Sequence, residues 1–117
     1  MRLPVDLTGG ASDELRDASR WYEERRAGLG LAFVAAVDRA IDQVARWPRT
    51  GAPIEGVGPD PEVRRMRIER FPYYAAYVVH EGRATIVAVA HERRRPRYWV
   101  DRLPLIGNVG RWLGGLW

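Results

Sequence analysis

The apolar residues in the first half of the chain recur every three or four positions, as they do along one face of a helix. The spacing begins near Leu15, shortly after Ser12, and serine is a residue type that often caps helix N-termini. It predicts a first helix over about residues 12–27. The spacing resumes after a Gly-Leu-Gly break and stops at Trp47-Pro48, where proline ends a helix. We therefore expect a second helix, antiparallel to the first.

In the second half of the chain the pattern changes to an alternation with a period of two. Met66 and Ile68 fall on one face of this predicted strand, and Arg65 and Arg67 fall on the other. The preceding residues 48–61 contain four Pro and three Gly and show no apolar period, so we expect them to form a connecting loop.

Two runs rich in Val, Ile, Ala and Tyr flank a Glu-Gly dipeptide, which predicts a β-hairpin. In this hairpin Tyr77 would lie opposite Ile86 and Tyr74 opposite Val89, with His91 on the same face as Tyr74. Both faces of the hairpin are apolar. The sequence therefore leaves open which face the two helices cover.

These elements predict an α+β fold in which an N-terminal helical hairpin packs on a small antiparallel β-sheet. Residues 2–7 are a candidate for a further edge strand, which gives the order β-α-α-β-β-β. The length of 117 residues suits one domain, over residues 1–103, and excludes two-domain enzymes and large barrels. Residues 104–117 form an apolar tail that we expect to pack on the domain or on a partner.

The composition argues for the cytoplasm. The chain has no cysteine, which excludes disulfides, a thiolate nucleophile and sulfur metal ligands, and which suits a reducing compartment. The N-terminus lacks the apolar stretch of a signal peptide. The longest apolar run, residues 73–79, is far shorter than the roughly 20 residues that span a bilayer. We expect a cytoplasmic protein without membrane contact.

The charges are distributed unevenly along the chain. All 19 basic residues are Arg; residues 1–60 carry eight Arg and ten acids, net −2, while residues 61–117 carry eleven Arg and five acids, net +6. Such asymmetry attracts an acidic partner or a polyanion, and arginine binds carboxylates and phosphates through paired hydrogen bonds. Arginine-rich faces are also often merely solvated surface.

Several kinds of catalytic site have no support in the sequence. The two histidines, His80 and His91, have no Cys or Asp at metal-ligand spacing. Neither of the two serines lies in a G-x-S-x-G elbow, and the glycine-rich stretch lacks the Lys-Ser/Thr of a phosphate-binding loop. We therefore expect no metal, no cofactor, and neither serine-hydrolase nor nucleotide-hydrolase activity.

Basic and aromatic residues are interleaved at the end of the last predicted strand, in His91-Glu92-Arg93-Arg94-Arg95-Pro96-Arg97-Tyr98-Trp99. We expect this segment to face Arg65 and Arg67 across the sheet. His91, Arg94 and Tyr98 could supply the base, acid and cation that metal-free RNA cleavage needs. A histidine at a strand end is also often a hydrogen-bonded structural residue.

The sequence resembles the RelE/ParE toxin superfamily over about residues 11–102. The resemblance rests on Val63-Arg64-Arg65, on Arg70-Phe71-Pro72-Tyr73 with Tyr77, and on Ala88-Val89-Ala90-His91-Glu92-Arg93-Arg94-Arg95-Pro96 followed by Tyr98-Trp99 and Arg102. It implies the toxin of a type II toxin–antitoxin pair, similar to plasmid stabilisation proteins. Such a toxin is inhibited when a cognate antitoxin wraps it in a hetero-oligomer. An acidic antitoxin tail would match the basic second half of the chain.

The superfamily divides by target, because ParE-like members inhibit DNA gyrase and RelE-like members cleave mRNA on the ribosome. The ribonucleases resemble one another in an Arg in the middle of a strand, and this chain has Tyr74 at that position. They also share basic residues at the end of the last strand, and here Glu92 interrupts the basic residues. Only Tyr98 matches their late tyrosine, and the chain has no Lys. The resemblance therefore favours a ParE-like gyrase inhibitor that is not an enzyme.

The alternative is a RelE-like, metal-free endoribonuclease that acts on ribosome-bound mRNA. Its candidate catalytic residues are His91, Arg94 and Tyr98. In either case the candidates for contact with the target or the antitoxin are Arg65, Arg67, Arg93, Arg94, Arg95 and Tyr98.

Overall fold

The computed structural model describes residues 2–57 and 61–103. The elements are β1 (Val5–Leu7), α1 (Gly9–Arg25), α2 (Leu29–Arg46), β2 (Ala52–Pro53), β3 (Val63–Ile68), β4 (Tyr73–His80), β5 (Arg83–His91) and a final 3₁₀ turn (Val100–Arg102). The predicted apolar tail, residues 104–117, lies outside the described residues.

The strands form one sheet in the order β1-β5-β4-β3-β2, which confirms the α+β architecture and the helical hairpin. Two of its strands differ from the prediction. The sheet is mixed rather than antiparallel, because β1 pairs with β5 in the parallel direction. In addition, Ala52–Pro53 form the short strand β2 within the predicted loop, paired with Arg64 and Arg65. A two-residue strand that contains a proline produces no alternating pattern, and sheets accept proline on such an edge strand.

The two helices cover one face of the sheet, and this resolves the choice that the sequence left open. Tyr77 lies on the helix side and is fully buried, together with Phe33 and Val37 of α2. Aromatic rings of Tyr22, Phe33, Phe71 and Tyr73 pack against one another at centroid distances of 5.0 to 6.2 Å. Each fully buried side chain of this size contributes about 1.5–3 kcal/mol to folding.

The first helix begins earlier than predicted. Thr8 is the N-cap, and its hydroxyl accepts a hydrogen bond from the Ala11 backbone N–H at 3.1 Å. Ser12, the predicted cap, lies inside the helix and donates its own backbone N–H to the Thr8 carbonyl. The prediction was wrong because α1 follows β1 directly, and Gly9 and Gly10 gave no apolar signal for a first helical turn.

The β4–β5 hairpin contains a bulge that changes the predicted register. Tyr77 lies opposite Ile86, as expected, but the pairing shifts by one residue between Ala76 and Tyr77. Tyr74 therefore faces Ala90 rather than Val89. His91 lies opposite Tyr73, so it shares the helix-side face with Tyr73 and not the face of Tyr74. One inserted residue moves every later side chain of the strand to the opposite face of the sheet. The apolar pattern of β5 gives no sign of this insertion.

The other face of the sheet is covered by the segment that follows β5. Trp99 is fully buried there, and its indole N–H donates to the Tyr74 hydroxyl at 3.1 Å. It packs with Val63, Val78 and Ala90, so the core extends to both faces. Within residues 2–57 and 61–103, no helix is long and apolar enough to cross a membrane.

Candidate binding site at the end of the last strand

A carboxylate of α1 lies at the centre of the candidate site. The side chain of Glu14 is only 14% exposed, and its two oxygens accept hydrogen bonds from groups far away in sequence. Arg102 donates from both terminal guanidinium nitrogens at 2.9 and 3.0 Å, and the Tyr98 hydroxyl donates at 2.5 Å. The backbone N–H of Val89 donates a further bond at 3.0 Å.

These contacts close the exposed edge of β5. Strand β1 pairs only with residues 84–86, so the remainder of β5 has no neighbouring strand on that side among the described residues. The Val89 N–H bonds to Glu14, and the Val87 carbonyl accepts from the Thr8 hydroxyl and from Arg102, both at 3.2 Å. Side chains thus satisfy backbone groups that would otherwise be left unpaired at a strand edge.

Sequence reasoning missed Glu14. A weak signal was present, because Glu14 occurs at helical spacing between Ala11 and Ala18, and both of these alanines are buried. A carboxylate on the buried stripe of an amphipathic helix implies a cationic or N–H partner. The identity of that partner depends on contacts across more than 70 residues of sequence, which a local pattern does not reveal.

The pKa values of Tyr98 and Arg102 are both raised beside this carboxylate. Burial raises the pKa of Tyr98 well above its usual range, and the hydrogen bond to Glu14 raises it further. The hydrogen bond to Glu14 also raises the pKa of Arg102. The phenol is therefore held as a neutral donor to Glu14, and the guanidinium is held as a cation.

Arg94 lies against the same cluster. Its guanidinium carbon is 3.7 Å from the centroid of the Tyr98 ring, which is a cation–π contact. One of its nitrogens also lies 3.8 Å from a Glu14 oxygen. Two of the sequence-predicted candidates, Arg94 and Tyr98, are thus brought together, and both are oriented toward α1.

His91 has a defined hydrogen-bonding state. Its Nδ1 accepts the backbone N–H of Arg93 at 3.0 Å, and its ring packs edge-on against Tyr73 with centroids 5.0 Å apart. In the neutral ring the proton therefore resides on Nε2, which makes that nitrogen a donor. This histidine thus holds the turn after β5 through its Nδ1.

A cleft of about 600 Å³ opens beside these residues, between α1 and the ends of β4 and β5. Its walls include Trp21 and Tyr73, with the acidic Asp17 on one side and His91 and Arg94 on the other. It combines apolar surface with charges of both signs. In the described part of the chain, no group of three or more His, Asp or Glu side chains could hold a metal ion.

The Glu14 cluster does not face Arg65 and Arg67. They lie on the outer face of the sheet, the face away from the helices, where the Arg65 guanidinium stacks 4.4 Å from the centroid of the Tyr74 ring. A second and smaller cleft there is lined by Arg65, Arg97 and Trp99. Arg97 and Trp99 therefore face Arg65 across the sheet as predicted, whereas Arg94 and Tyr98 of the same segment lie beside α1.

The chain matches the family model described as the ParE toxin of the type II toxin–antitoxin system parDE, over residues 5–96. The chain belongs to this ParE toxin family. The match runs from β1 to Pro96, so it includes the three consecutive arginines, whereas Tyr98 and Arg102 follow it. The Glu14 cluster therefore joins a residue within the ParE match to residues beyond it.

One solved structure shows the same fold. It is described as a chromosomal ParDE toxin–antitoxin system from P. aeruginosa, and a chain of it aligns with a TM-score of 0.65 and 19% sequence identity. The alignment covers 77% of this chain and 96% of that chain. At this identity the likeness concerns the fold alone. No curated protein matches the sequence.

Proposed function

We propose that this ParE-family protein is neutralised by a cognate antitoxin and arrests growth by inhibiting DNA gyrase, without cutting RNA. The observation that carries the proposal is the state of the three residues a ribonuclease mechanism would use. His91, Arg94 and Tyr98 are all engaged in contacts that hold the end of β5 in place. The family match supports the ParE-like side of the superfamily.

The acid–base chemistry of RNA cleavage lacks a free base in this cluster. A general base needs an available lone pair at a pKa near the working pH. The Tyr98 hydroxyl donates to Glu14 and has a raised pKa, while the Glu14 carboxylate already accepts four hydrogen bonds. His91 uses Nδ1 to accept a backbone N–H. These groups support the fold, and a binding role fits them better than a catalytic one.

A binding role needs an accessible surface of matching charge. The arginine loop, residues 92–97, carries exposed Arg93, Arg94 and Arg95 at the end of β5. Arg65 and Arg67 are exposed on the outer face of the sheet. Within a toxin domain of residues 1–103, we assign Arg65, Arg67, Arg93 and Arg95 to direct contact with an acidic antitoxin segment or with the target, and Arg94 and Tyr98 to the support of the same surface. Both partners place the protein in the cytoplasm.

One observation favours the alternative, a ribosome-dependent mRNA endonuclease. His91, Arg94 and Tyr98 line the same cleft, so a phosphate bound there would meet all three side chains. Rearrangement of Glu14 on binding would then be required to free a base.

One experiment separates the two functions. The protein is expressed from an inducible promoter without antitoxin, and cellular mRNA is mapped by primer extension while plasmid topology is followed on gels. We expect intact transcripts and altered supercoiling, with growth restored by co-expression of the antitoxin. Cut transcripts with normal supercoiling would instead establish the endonuclease, and growth without any effect on either readout would remove both functions.

A further inference from the structure

We propose that Glu14 is a positioning residue for the arginine loop, which it fixes so that Arg93 and Arg95, and not Arg94, meet an acidic surface of the target, DNA gyrase. This inference rests on the proposed function, since it concerns the same binding surface. It adds Glu14 of α1 to the residues that shape this surface. It also gives the three consecutive arginines two different roles, contact with the partner for Arg93 and Arg95 and packing on Tyr98 for Arg94.

The first step is the attachment of the C-terminal segment to α1. Glu14 binds Tyr98 and Arg102, which lie 84 and 88 residues away in sequence, and the Arg102 bond is bidentate. Bidentate pairing of arginine with a carboxylate fixes orientation as well as distance. The Val89 bond ties the same carboxylate to β5, so one side chain joins the two ends of the arginine loop.

The second step leads from Tyr98 to Arg94. The Tyr98 ring, held at its hydroxyl by Glu14, lies 3.7 Å from the Arg94 guanidinium carbon. Arg94, although 55% exposed, is therefore directed toward α1 by a cation–π contact and by the nearby Glu14 oxygen at 3.8 Å. Its charge is partly compensated by the protein itself, which leaves less of it available to a partner.

The third step concerns the neighbours of Arg94. Among the described residues, no carboxylate lies within ion-pair distance of Arg93 or Arg95, and both side chains are exposed. The arginine loop is not relaxed at its C-terminal end, because Arg97 has a φ of 60°, a conformation that residues other than glycine rarely adopt. Contacts on both sides of Arg97 must maintain it, and the Glu14–Tyr98 bond is one of them.

Together these steps define the partner surface. The two guanidinium groups project from a fixed turn and have no ion-pair partner among the described residues. Each can donate paired hydrogen bonds to a carboxylate on the surface of a partner protein. Because the backbone of the turn is already fixed, binding does not have to order it, so the positioning raises affinity without adding a contact.

The test uses the full chain and compares Glu14→Gln with Asp13→Asn. The glutamine keeps an acceptor but loses the charge, while Asp13 is the adjacent carboxylate, 62% exposed and, within residues 2–57 and 61–103, ion-paired only with Arg16. Trypsin is applied to the folded protein, and cleavage after Arg93 and Arg94 is timed; the Arg95-Pro96 bond resists trypsin. We expect cleavage of Glu14→Gln to be about tenfold faster, from the loss of a charged hydrogen bond, and cleavage of Asp13→Asn to be unchanged.

A second readout separates positioning from general stability. In a supercoiling assay with purified gyrase, Glu14→Gln should need about tenfold more protein for half-inhibition. In the background of Arg93→Ala with Arg95→Ala, the same substitution should have no further effect, because the groups it positions are absent. If Glu14→Gln does not fold, Tyr98→Phe removes only the hydroxyl and should accelerate cleavage in the same direction.

The outcomes are distinguishable. Wild-type cleavage rates in Glu14→Gln, or in Tyr98→Phe where the first variant does not fold, would overturn the positioning role. An additive loss of inhibition in the arginine-free background would also overturn it. Failure of the wild-type protein to inhibit gyrase would overturn the proposed function, and the tryptic comparison would still decide whether Glu14 fixes the loop.

Discussion

The three consecutive arginines at the end of β5 have three different surroundings. Arg93 donates its backbone N–H to His91 and leaves its side chain exposed, and Arg94 stacks on Tyr98. Arg95 precedes a proline, which restricts its backbone to extended conformations. The sequence predicts an arginine-rich binding surface here, but it does not distinguish the anchored arginine from the two that point outward.

This difference predicts separate effects of substitution. Arg93→Ala combined with Arg95→Ala should weaken gyrase inhibition and change the free energy of unfolding by less than about 0.5 kcal/mol, as surface substitutions do. Arg94→Ala should lower that free energy by about 0.5–1 kcal/mol through the lost cation–π contact. Urea unfolding and the supercoiling assay measure the two effects. Inhibition at wild-type potency by the double variant would show that these side chains do not contact the target.

Tyr77 is buried by the fold and holds the loop that follows α2. Its hydroxyl donates to the Pro48 carbonyl at 2.7 Å and accepts the Gly51 backbone N–H at 3.1 Å. A Cβ at position 51 would lie 2.7 Å from the Arg65 carbonyl oxygen, so only glycine fits this close approach. The sequence pattern predicts a strand tyrosine here, and the hydrogen bonds appear only in the tertiary structure.

Tyr77→Phe should therefore lower the free energy of unfolding by about 1–3 kcal/mol, because the Gly51 N–H and the Pro48 carbonyl both lose a buried partner. Tyr22→Phe is the matched control, since the Tyr22 hydroxyl makes no hydrogen bond within the described residues. Urea denaturation compares the two variants. Equal stability of both would contradict the role assigned to the Tyr77 hydroxyl.

Among the secondary-structure elements, those with a strong apolar periodicity could be predicted from the sequence, whereas short or irregular elements could not. The two helices and strands β3 to β5 follow from apolar spacing in the sequence. The bulge in β5, the two-residue strand β2 and the parallel addition of β1 do not, because each depends on neighbouring strands rather than on its own pattern. The bulge is also why His91 was assigned to the wrong face.

The start of α1 gives a direct comparison between the observed and the predicted cap. Thr8→Ala removes the hydroxyl that caps the Ala11 N–H and should cost about 0.5–2 kcal/mol of stability. Ser12→Ala lies inside the helix and should leave stability unchanged or slightly higher. Thermal unfolding of both variants provides the measurement. A larger loss from Ser12→Ala would place the helix start where the sequence pattern put it.

For the whole molecule, several buried or partly buried tyrosines make stability sensitive to alkaline pH. Burial raises the pKa of four tyrosines above the ordinary value of 10.0, namely Tyr22, Tyr73, Tyr77 and Tyr98. Above about pH 10 the unfolded chain releases these protons and the folded chain retains them. The stabilisation is thus fully present below that pH and is lost as the pH rises further.

We therefore expect the urea midpoint to be constant from about pH 8 to 9.5 and to fall steeply above about pH 10. Tyr98→Phe should make the fall shallower, because it removes one of the tyrosines with a raised pKa. A midpoint that stays flat to about pH 11.5 in the wild-type protein would contradict the assigned burial of these hydroxyls.

The sequence predicted the arginine-rich part of the candidate site but not the carboxylate to which that part is attached. The net charge of +6 in the second half of the chain and the resemblance located an arginine-rich surface at the end of the last strand. The Glu14 cluster was not predictable, because it is assembled from α1, β5 and the final turn. The alternation of β3 did predict that Arg65 and Arg67 face away from Met66 and Ile68, but only the structure shows that Arg94 and Tyr98 lie beside α1 instead.

The most direct test of the central claim is the supercoiling of relaxed plasmid by purified DNA gyrase in the presence of the full-length protein. We predict that the wild-type protein blocks supercoiling in proportion to its concentration and that Arg93→Ala with Arg95→Ala does so only weakly. Normal supercoiling at a large excess of wild-type protein, together with cleavage of mRNA on purified ribosomes, would contradict a non-nucleolytic gyrase inhibitor.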